Sequence, residues 1–154
     1  MEYVEIFALQ EGVAFKNLIL NPNAGYVGIG TTNPSYPLQM ASGAYVSSGG
    51  VWTNASSREY KTDIRKLSTQ KAIDALKQLD PVEFAYKTDS REKHVGFIAE
   101  DAPELVATKD KKGMSSMDVV AVLTKVVQEQ QRTIAELSEK VAQLQAGARL
   151  VKMP

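Results

Sequence analysis

The sequence of 154 residues contains no cysteine, and its positive and negative side chains balance at 18 each. Without cysteine the chain can form neither disulfides nor thiolate metal sites. A formal net charge of zero does not set up the field that nucleic acid or an anionic membrane requires. No apolar run is long enough to span a bilayer, and the acidic start "MEYVEIFALQ" lacks the basic segment of a secretory signal. We therefore expect a soluble chain that binds neither nucleic acid nor membrane.

Histidine is nearly absent as well. His94 is the only histidine, and no cysteine or second histidine accompanies it. Because a protein metal site draws on several such ligands, we expect a structural role for His94 and neither a metal nor a cofactor.

Residues 1–50 hold most of the glycine, asparagine and proline and show only short apolar bursts: "NLIL", "YVGIG", "YPLQM" and "AYVSSGG". Glycine supplies positive φ and Asn-Pro begins turns, so no helical period survives. The pattern predicts short strands joined by tight turns. Such strands bury little surface by themselves, which favours a fibre or stalk in which neighbouring copies cover the apolar positions.

The segment "LSTQKAIDALKQLD" predicts an amphipathic helix. Ser68 is its expected N-cap and Leu67 a possible hydrophobic staple, while Asp80-Pro81 closes it. Three apolar residues share one side of this helix: Ile73, Leu76 and Leu79.

The next segments predict a hairpin. "VEFAY" alternates like a half-buried strand, "HVGFIA" is typical of a more fully buried one, and the charged "KTDSREK" is their expected connection. "EDAPELV" is expected to form a short helical turn or loop, and "KDKKG" a solvated turn.

The last part follows a heptad pattern with β-branched residues at a and mostly leucine at d, which predicts a coiled coil. Its a and d positions are Val120, Leu123, Val127, Gln130, Ile134, Leu137, Val141 and Leu144. We expect Ser115 or Ser116 to cap the helix and Gly147 to end it. Gln130 is interpreted as a polar layer that sets the register, or else as a local weak spot.

The number of strands in the coiled coil stays open on periodicity alone. Val or Ile at a with Leu at d favours two strands, yet Val119 and Val126 at g widen the apolar face in the first half. A larger bundle or a docked globular domain would require that width.

A repeat and the four sequence blocks after it occur in an order that resembles a known family. "GYVGIGTTNPSYPLQM" looks like the repeat before the C-terminal domain of many phage tail fibres and bacterial surface fibres. "ASSREYKTDIRKL", "LDPVEFAY" with "HVGFIAEDAPELV", and "VAVLTKVVQEQQRTIAEL" then follow as in the intramolecular chaperone domain of endosialidases and tailspikes. Four blocks in order are far more specific than any one of them.

The resemblance implies an α+β protein made of a short-strand β stalk, a small mixed α/β globular domain and a long C-terminal helix in a homotrimeric coiled coil. The expected division is 1–55 for the stalk and 56–154 for the chaperone domain, of which 56–115 is globular and 116–146 is the coiled-coil helix. The expected setting is a phage tail fibre, tailspike or bacterial surface fibre folded and processed in the host cytoplasm. The expected folding client is the upstream β segment of the same chain.

The resemblance also implies self-cleavage through a Ser-Lys dyad. The family pattern carries over to Ser56 as nucleophile and Lys61 as base, with the cut between Ala55 and Ser56. Ser57 departs from the pattern, which more often has aspartate there. Ser57 is also a second candidate nucleophile, because only Ser57 and Lys61 have the i, i+4 spacing of a helix. Spacing alone indicates just a polar turn here, so the assignment rests on the resemblance.

A spacing of five brings nothing together on a regular helix or strand. The backbone between Ser56 and Lys61 must therefore turn, and we expect the dyad to form only once the domain or the trimer has folded. A lysine serves as base only if burial lowers its pKa from about 10.4 toward neutrality. The cut is a single turnover within the chain, so no small-molecule substrate is expected. The alternative to a self-cleaving chaperone is a trimerisation cap that stays attached.

Overall fold

A computed structural model of the chain describes residues 9–10, 14–15, 20 and 25–151, with side chains described for residue 20 and residues 25–147. The chain divides into two compact units, Met1–Ile64 and Arg65–Pro154. The architecture is mixed α+β, with sheets of short strands and a long C-terminal helix, and this part of the predicted fold is confirmed.

The first unit contains six short strands. They are β1 (Leu9–Gln10), β2 (Ala14–Phe15), β3 (Val27–Ile29), β4 (Leu38–Met40), β5 (Tyr45–Val46) and β6 (Trp52–Thr53). β1 pairs with β2 in antiparallel orientation. The other four form one sheet in chain order, in which β3 and β4 are parallel and the remaining pairs are antiparallel.

Three of the four predicted apolar bursts contain a strand. In the fourth, "NLIL", residues 17–19 lie outside the described residues and Leu20 has no regular structure. β6 was not predicted, because "WT" ahead of a polar segment carries too little apolar pattern to indicate a strand.

Glycine closes the two turns of the antiparallel part of this sheet. Gly43, with φ +88°, lies between β4 and β5, and Gly50, with φ +79°, lies between β5 and β6. Their amides donate to the carbonyls of Met40 and Ser47, at 3.0 and 2.9 Å. Among residues 20 and 25–64 none is fully buried. This sheet therefore has no core of its own in a single copy.

The second unit begins with the predicted amphipathic helix, α1 (Thr69–Gln78). Ser68 caps it as predicted, since its hydroxyl accepts the Lys71 amide at 3.2 Å. The core is formed by small residues: Ala72, Ala75, Ala102, Val106, Val122 and Val126. The predicted apolar face of the helix and the expected staple residue have larger side chains, which lie around this core and are only partly buried: Leu67, Ile73, Leu76 and Leu79. Alanines at the helix contact let α1 approach its neighbour closely, which pushes the larger side chains to the edge.

The hairpin is present, but its connection was predicted wrongly. β7 (Val82–Tyr86) pairs with β8 (Asp89–Gly96), so residues 87–88 alone connect them and the charged "DSREK" belongs to the second strand. The second strand is also not the more buried one, since Val95 is 76% exposed. A two-stranded sheet leaves most side chains in solvent, so charged residues fit within it.

The loop after the hairpin supplies two core residues that the sequence analysis missed. "EDAPELV" forms turns, and Ala102 and Val106 within it are buried. The expected turn at "KDKKG" is confirmed: the Thr108 amide donates to the Gly113 carbonyl at 2.8 Å. Lys111 has φ +56°, and its ammonium donates to the Ala102 carbonyl, so this lysine secures the loop.

The C-terminal helix, α2 (Ser116–Val151), starts where predicted and runs further than predicted. The Ser115 hydroxyl accepts the Asp118 amide at 3.3 Å and so caps the helix. The expected end at Gly147 is wrong, because the helix continues through it. A single glycine weakens a helix by about 1 kcal/mol relative to alanine without breaking it.

α1 packs on the side of α2 that carries Val119, Val122 and Val126. The packing of α1 on α2 therefore explains the apolar residues at the g positions. Of the two alternatives, a larger bundle or a docked domain, this contact fits the second. Thr69 of α1 also donates to the Glu129 carboxylate at 3.3 Å. The hydrogen bond from Arg132, followed by its positive charge, lowers the pKa of that carboxyl.

The a and d positions of the heptad point away from this contact. The seven apolar ones are 41–73% exposed, and Gln130 is exposed with them. The single chain therefore leaves a long apolar seam of α2 uncovered.

Candidate functional site

The candidate cleavage site lies at the end of the sheet of the first unit. β6 ends at Thr53, and residues 54–57 have no regular structure. A single 3-10 turn, Arg58–Tyr60, follows directly. The bond between Ala55 and Ser56 is thus in an irregular segment, and the predicted base, Lys61, comes just after the turn.

The structure brings Ser56 and Lys61 together. The Lys61 ammonium donates to the Ser56 hydroxyl, with 2.8 Å between Nζ and Oγ. The 3-10 turn reverses the backbone between them, and Lys61 then returns to an extended conformation with φ −124° and ψ 142°. The required turn is therefore local, and it supplies the contact that a spacing of five cannot make on a regular element.

Ser57 has a different partner. Its hydroxyl caps the 3-10 turn by accepting the Glu59 amide at 3.3 Å. The i, i+4 argument for Ser57 assumed an α-helix, whereas the turn here has the tighter 3-10 form. Ser57 therefore acts in this structure as a turn cap, and the lysine contacts Ser56.

The Ser56 and Lys61 side chains are in contact but are not buried. Ser56 and Lys61 are both exposed in the single chain, and Ala55 is half-buried. The contact thus exists without a partner copy, contrary to the possibility that only the trimer would bring the two residues together. The burial that lysine needs as a base is not provided by the single chain.

Two aromatic residues flank the site. The Trp52 indole donates to the Asn54 side-chain oxygen at 2.9 Å, which orients the segment before the cut. The Tyr60 ring and the Ala55 side chain both lie beside Gly43, although the Tyr60 side chain is 62% exposed. Sequence reasoning missed Gly43, because nothing in a turn glycine indicates which distant side chain will lie on it.

His94 lies in the second unit, in a cluster of rings. Its ring centroid is 5.6 Å from that of Phe84 and 5.2 Å from that of Tyr86. Within residues 25–147 no group of three or more histidine, cysteine or acidic residues is placed to hold a metal ion. In the described part of the chain no helix combines the length and apolar character needed to cross a bilayer.

The site thus consists of a serine and a lysine in contact, in the irregular segment that follows the last strand of the first unit. Residues 56–110 match the model of a peptidase family described as chaperone of endosialidase. The resemblance predicted from the sequence is therefore confirmed over this segment. No curated protein and no solved structure matches the chain. The description of that family supports a chaperone role for this segment.

Proposed function

We propose that this chain is the C-terminal intramolecular chaperone of a β-rich tail fibre or tailspike, and that it releases itself by cutting the bond between Ala55 and Ser56. The observation that carries the proposal is the 2.8 Å contact between Lys61 Nζ and Ser56 Oγ. The family match beginning at residue 56, the first residue after the proposed cut, supports the same boundary. The proposed chaperone domain is therefore 56–154, and the stalk is 1–55.

The proposed reaction begins at Ser56. Its hydroxyl oxygen attacks the Ala55 carbonyl carbon while Lys61, in its neutral form, takes the hydroxyl proton. The carbon–nitrogen bond between the two residues then breaks, and Lys61 returns the proton to the departing Ser56 amine. Water hydrolyses the resulting ester. The products are a fragment that ends in the Ala55 carboxylate and one that begins with Ser56.

The protonation state of Lys61 explains why assembly would control this reaction. Lys61 can take the Ser56 proton only in its neutral form. Burial disfavours the charged ammonium. We infer that a neighbouring copy covers the exposed pair, and that this covering, not the approach of the two residues, is the step that assembly supplies.

The exposed seam of α2 is the proposed assembly surface. Its seven apolar residues are 41–73% exposed in the single chain, and a homotrimeric coiled coil would cover them. The client in this proposal is the upstream β segment, since residues 25–64 contain no fully buried side chain. Holding three such segments in register would assist a slow folding step, and release would then make assembly irreversible. Folding and processing would take place in the host cytoplasm.

A cap that stays attached remains the second candidate. The exposure of Ser56 and Lys61 favours it, as does Ser57 in place of the family's aspartate. A denaturing gel of the expressed chain distinguishes the two, because the cap gives one band and the self-cleaving domain gives two.

Substitutions in the dyad test the proposal. Ser56→Ala should abolish cleavage, and Lys61→Ala should slow it by at least about a hundredfold, the lower end for a general base. Both should leave the trimer intact, because the two side chains are exposed. Ser57→Ala is the matched control and should cleave. Ser56→Cys should retain activity, since a thiol is the better nucleophile.

Two readouts identify the mechanism. Mass spectrometry should find Ser56 as the first residue of the C-terminal fragment. The rate should rise with pH, because the neutral amine is the base. Cleavage by Ser56→Ala would transfer the role of nucleophile to Ser57 or to an outside protease.

A further inference from the structure

We propose that Tyr60 is a positioning residue for self-cleavage, and that its contact with the Gly43 turn makes the reaction depend on the folded state of the β4–β5 hairpin. This inference rests on the proposed function. It adds a connection between the chemistry and one hairpin of the client segment.

The contact is defined by the space beside Gly43. A Cβ added to Gly43 would lie 3.1 Å from Cε2 and 3.3 Å from Cζ of Tyr60, and 3.4 Å from Cβ of Ala55. Any side chain at position 43 would therefore press on the Tyr60 ring. Glycine is also suited to this turn because its φ is +88°.

The two residues that lie beside Gly43 are the chain neighbours of the two reacting residues. Ala55 precedes Ser56 and supplies the carbonyl that would be attacked. Tyr60 ends the 3-10 turn and precedes Lys61. The Gly43 turn thus supports both sides of the reacting pair, and a small displacement of either side would change the distance between Ser56 and Lys61.

Tyr60 contributes little to overall packing. Its side chain is 62% exposed, and no residue among 25–64 is fully buried. Replacing it should therefore leave the rest of the sheet intact. What the ring can do from this position is hold the 3-10 turn against the hairpin and so fix where Lys61 leaves the turn.

Gly43 and Tyr60, which form the contact, lie on opposite sides of the proposed cut in the chain. Gly43 belongs to the stalk segment and Tyr60 to the domain that would be released. The contact can form only when Met40 and Gly43 have closed their turn, where the Gly43 amide donates to the Met40 carbonyl at 3.0 Å. The 3-10 turn brings the reacting pair together, and in this proposal the folded hairpin fixes its geometry, which would slow release from an unfolded stalk.

The test measures the single-turnover rate of the full chain on denaturing gels, with trimer content followed by light scattering. Tyr60→Ala should slow cleavage by about tenfold or more, since misplacement of reacting groups by about 1 Å can cost a hundredfold. Tyr60→Phe should keep the rate of the unaltered chain, because the Tyr60 atoms nearest to an added Gly43 Cβ are the ring carbons Cε2 and Cζ. The pH at half-maximal rate should stay unchanged in Tyr60→Ala, because positioning alters the maximal rate and not the protonation of Lys61.

A pair of glycine variants isolates the contact from backbone strain. Gly43→Ala introduces both a left-handed alanine and a clash with the ring. Gly50→Ala is the matched control, because Gly50 has φ +79° and nothing within 4 Å of an added Cβ. We expect Gly43→Ala to slow cleavage several-fold more than Gly50→Ala, by the same misplacement of reacting groups.

The outcomes separate this inference from the proposed function. If the unaltered chain does not cleave, the proposed self-cleavage fails. If the unaltered chain cleaves and Tyr60→Ala cleaves equally fast, only the positioning role is overturned. Equal slowing by Gly43→Ala and Gly50→Ala would overturn the contact, and loss of the trimer in Tyr60→Ala would identify Tyr60 as a structural residue instead.

Discussion

Charging the seam of α2 tests the assembly surface most directly. In the single chain Leu137 is 55% exposed and Val141 is 51% exposed, so roughly half of each side chain is available for burial on assembly. Fully burying such a side chain contributes about 1.5–3 kcal/mol, so half of it contributes about 1 kcal/mol. The seven apolar seam residues would then contribute about 7 kcal/mol per chain.

Replacing both residues with aspartate removes about 2 kcal/mol of that burial per chain. The two unpaired carboxylates add a penalty of several kcal/mol for each buried charge. Together these two losses exceed the about 7 kcal/mol per chain that the seam supplies, and micromolar association requires about 8 kcal/mol. The double variant Leu137→Asp, Val141→Asp should therefore be monomeric at micromolar concentration.

Size-exclusion chromatography with light scattering measures the result. The matched control is Gln128→Asp with Ala135→Asp, which adds the same charge at exposed b positions outside the seam and should remain trimeric. A trimer that survives the seam substitutions would show that α2 is not the assembly element. If the monomeric seam variant still cut itself, the proposed control by burial would be wrong, because the Ser56–Lys61 contact alone would suffice.

Two further substitutions examine the second unit by urea unfolding monitored through helical circular dichroism. Val122→Ala, at a side chain that is 1% exposed, should lower the free energy of unfolding by roughly 2 kcal/mol, whereas Val120→Ala, at 52% exposure, should lower it far less in a monomeric background. Equal effects would contradict the orientation of α2. Gly147→Ala should stabilise the helix by up to about 1 kcal/mol, because the helix runs through this position. A loss of stability would instead indicate that Gly147 ends the helix, as its sequence context alone had predicted.

The family match over residues 56–110 and the two helices were predictable from the sequence because their signals are local or periodic. Ser68 caps α1 through a hydrogen bond to a residue three positions away. The heptad of α2 repeats apolar residues every seven positions and so predicts a helix with one apolar face. The end of α2 and the extent of β8 were predicted wrongly. Glycine often ends a helix, and charged residues are uncommon in strands. At Gly147 and in the charged run from Asp89, departing from these preferences costs little free energy.

The sequence by itself thus predicted Ser56 and Lys61 as the candidate pair, through a resemblance of ordered blocks, and it left Ser57 as a second candidate nucleophile. Tertiary structure decided that the backbone reverses in a 3-10 turn. As a result Lys61 hydrogen-bonds Ser56, and the Ser57 hydroxyl caps the turn. It also decided which face of α2 receives α1, and that the Tyr60 ring lies on Gly43. These features depend on where separate segments meet in space, and spacing along the chain does not record that.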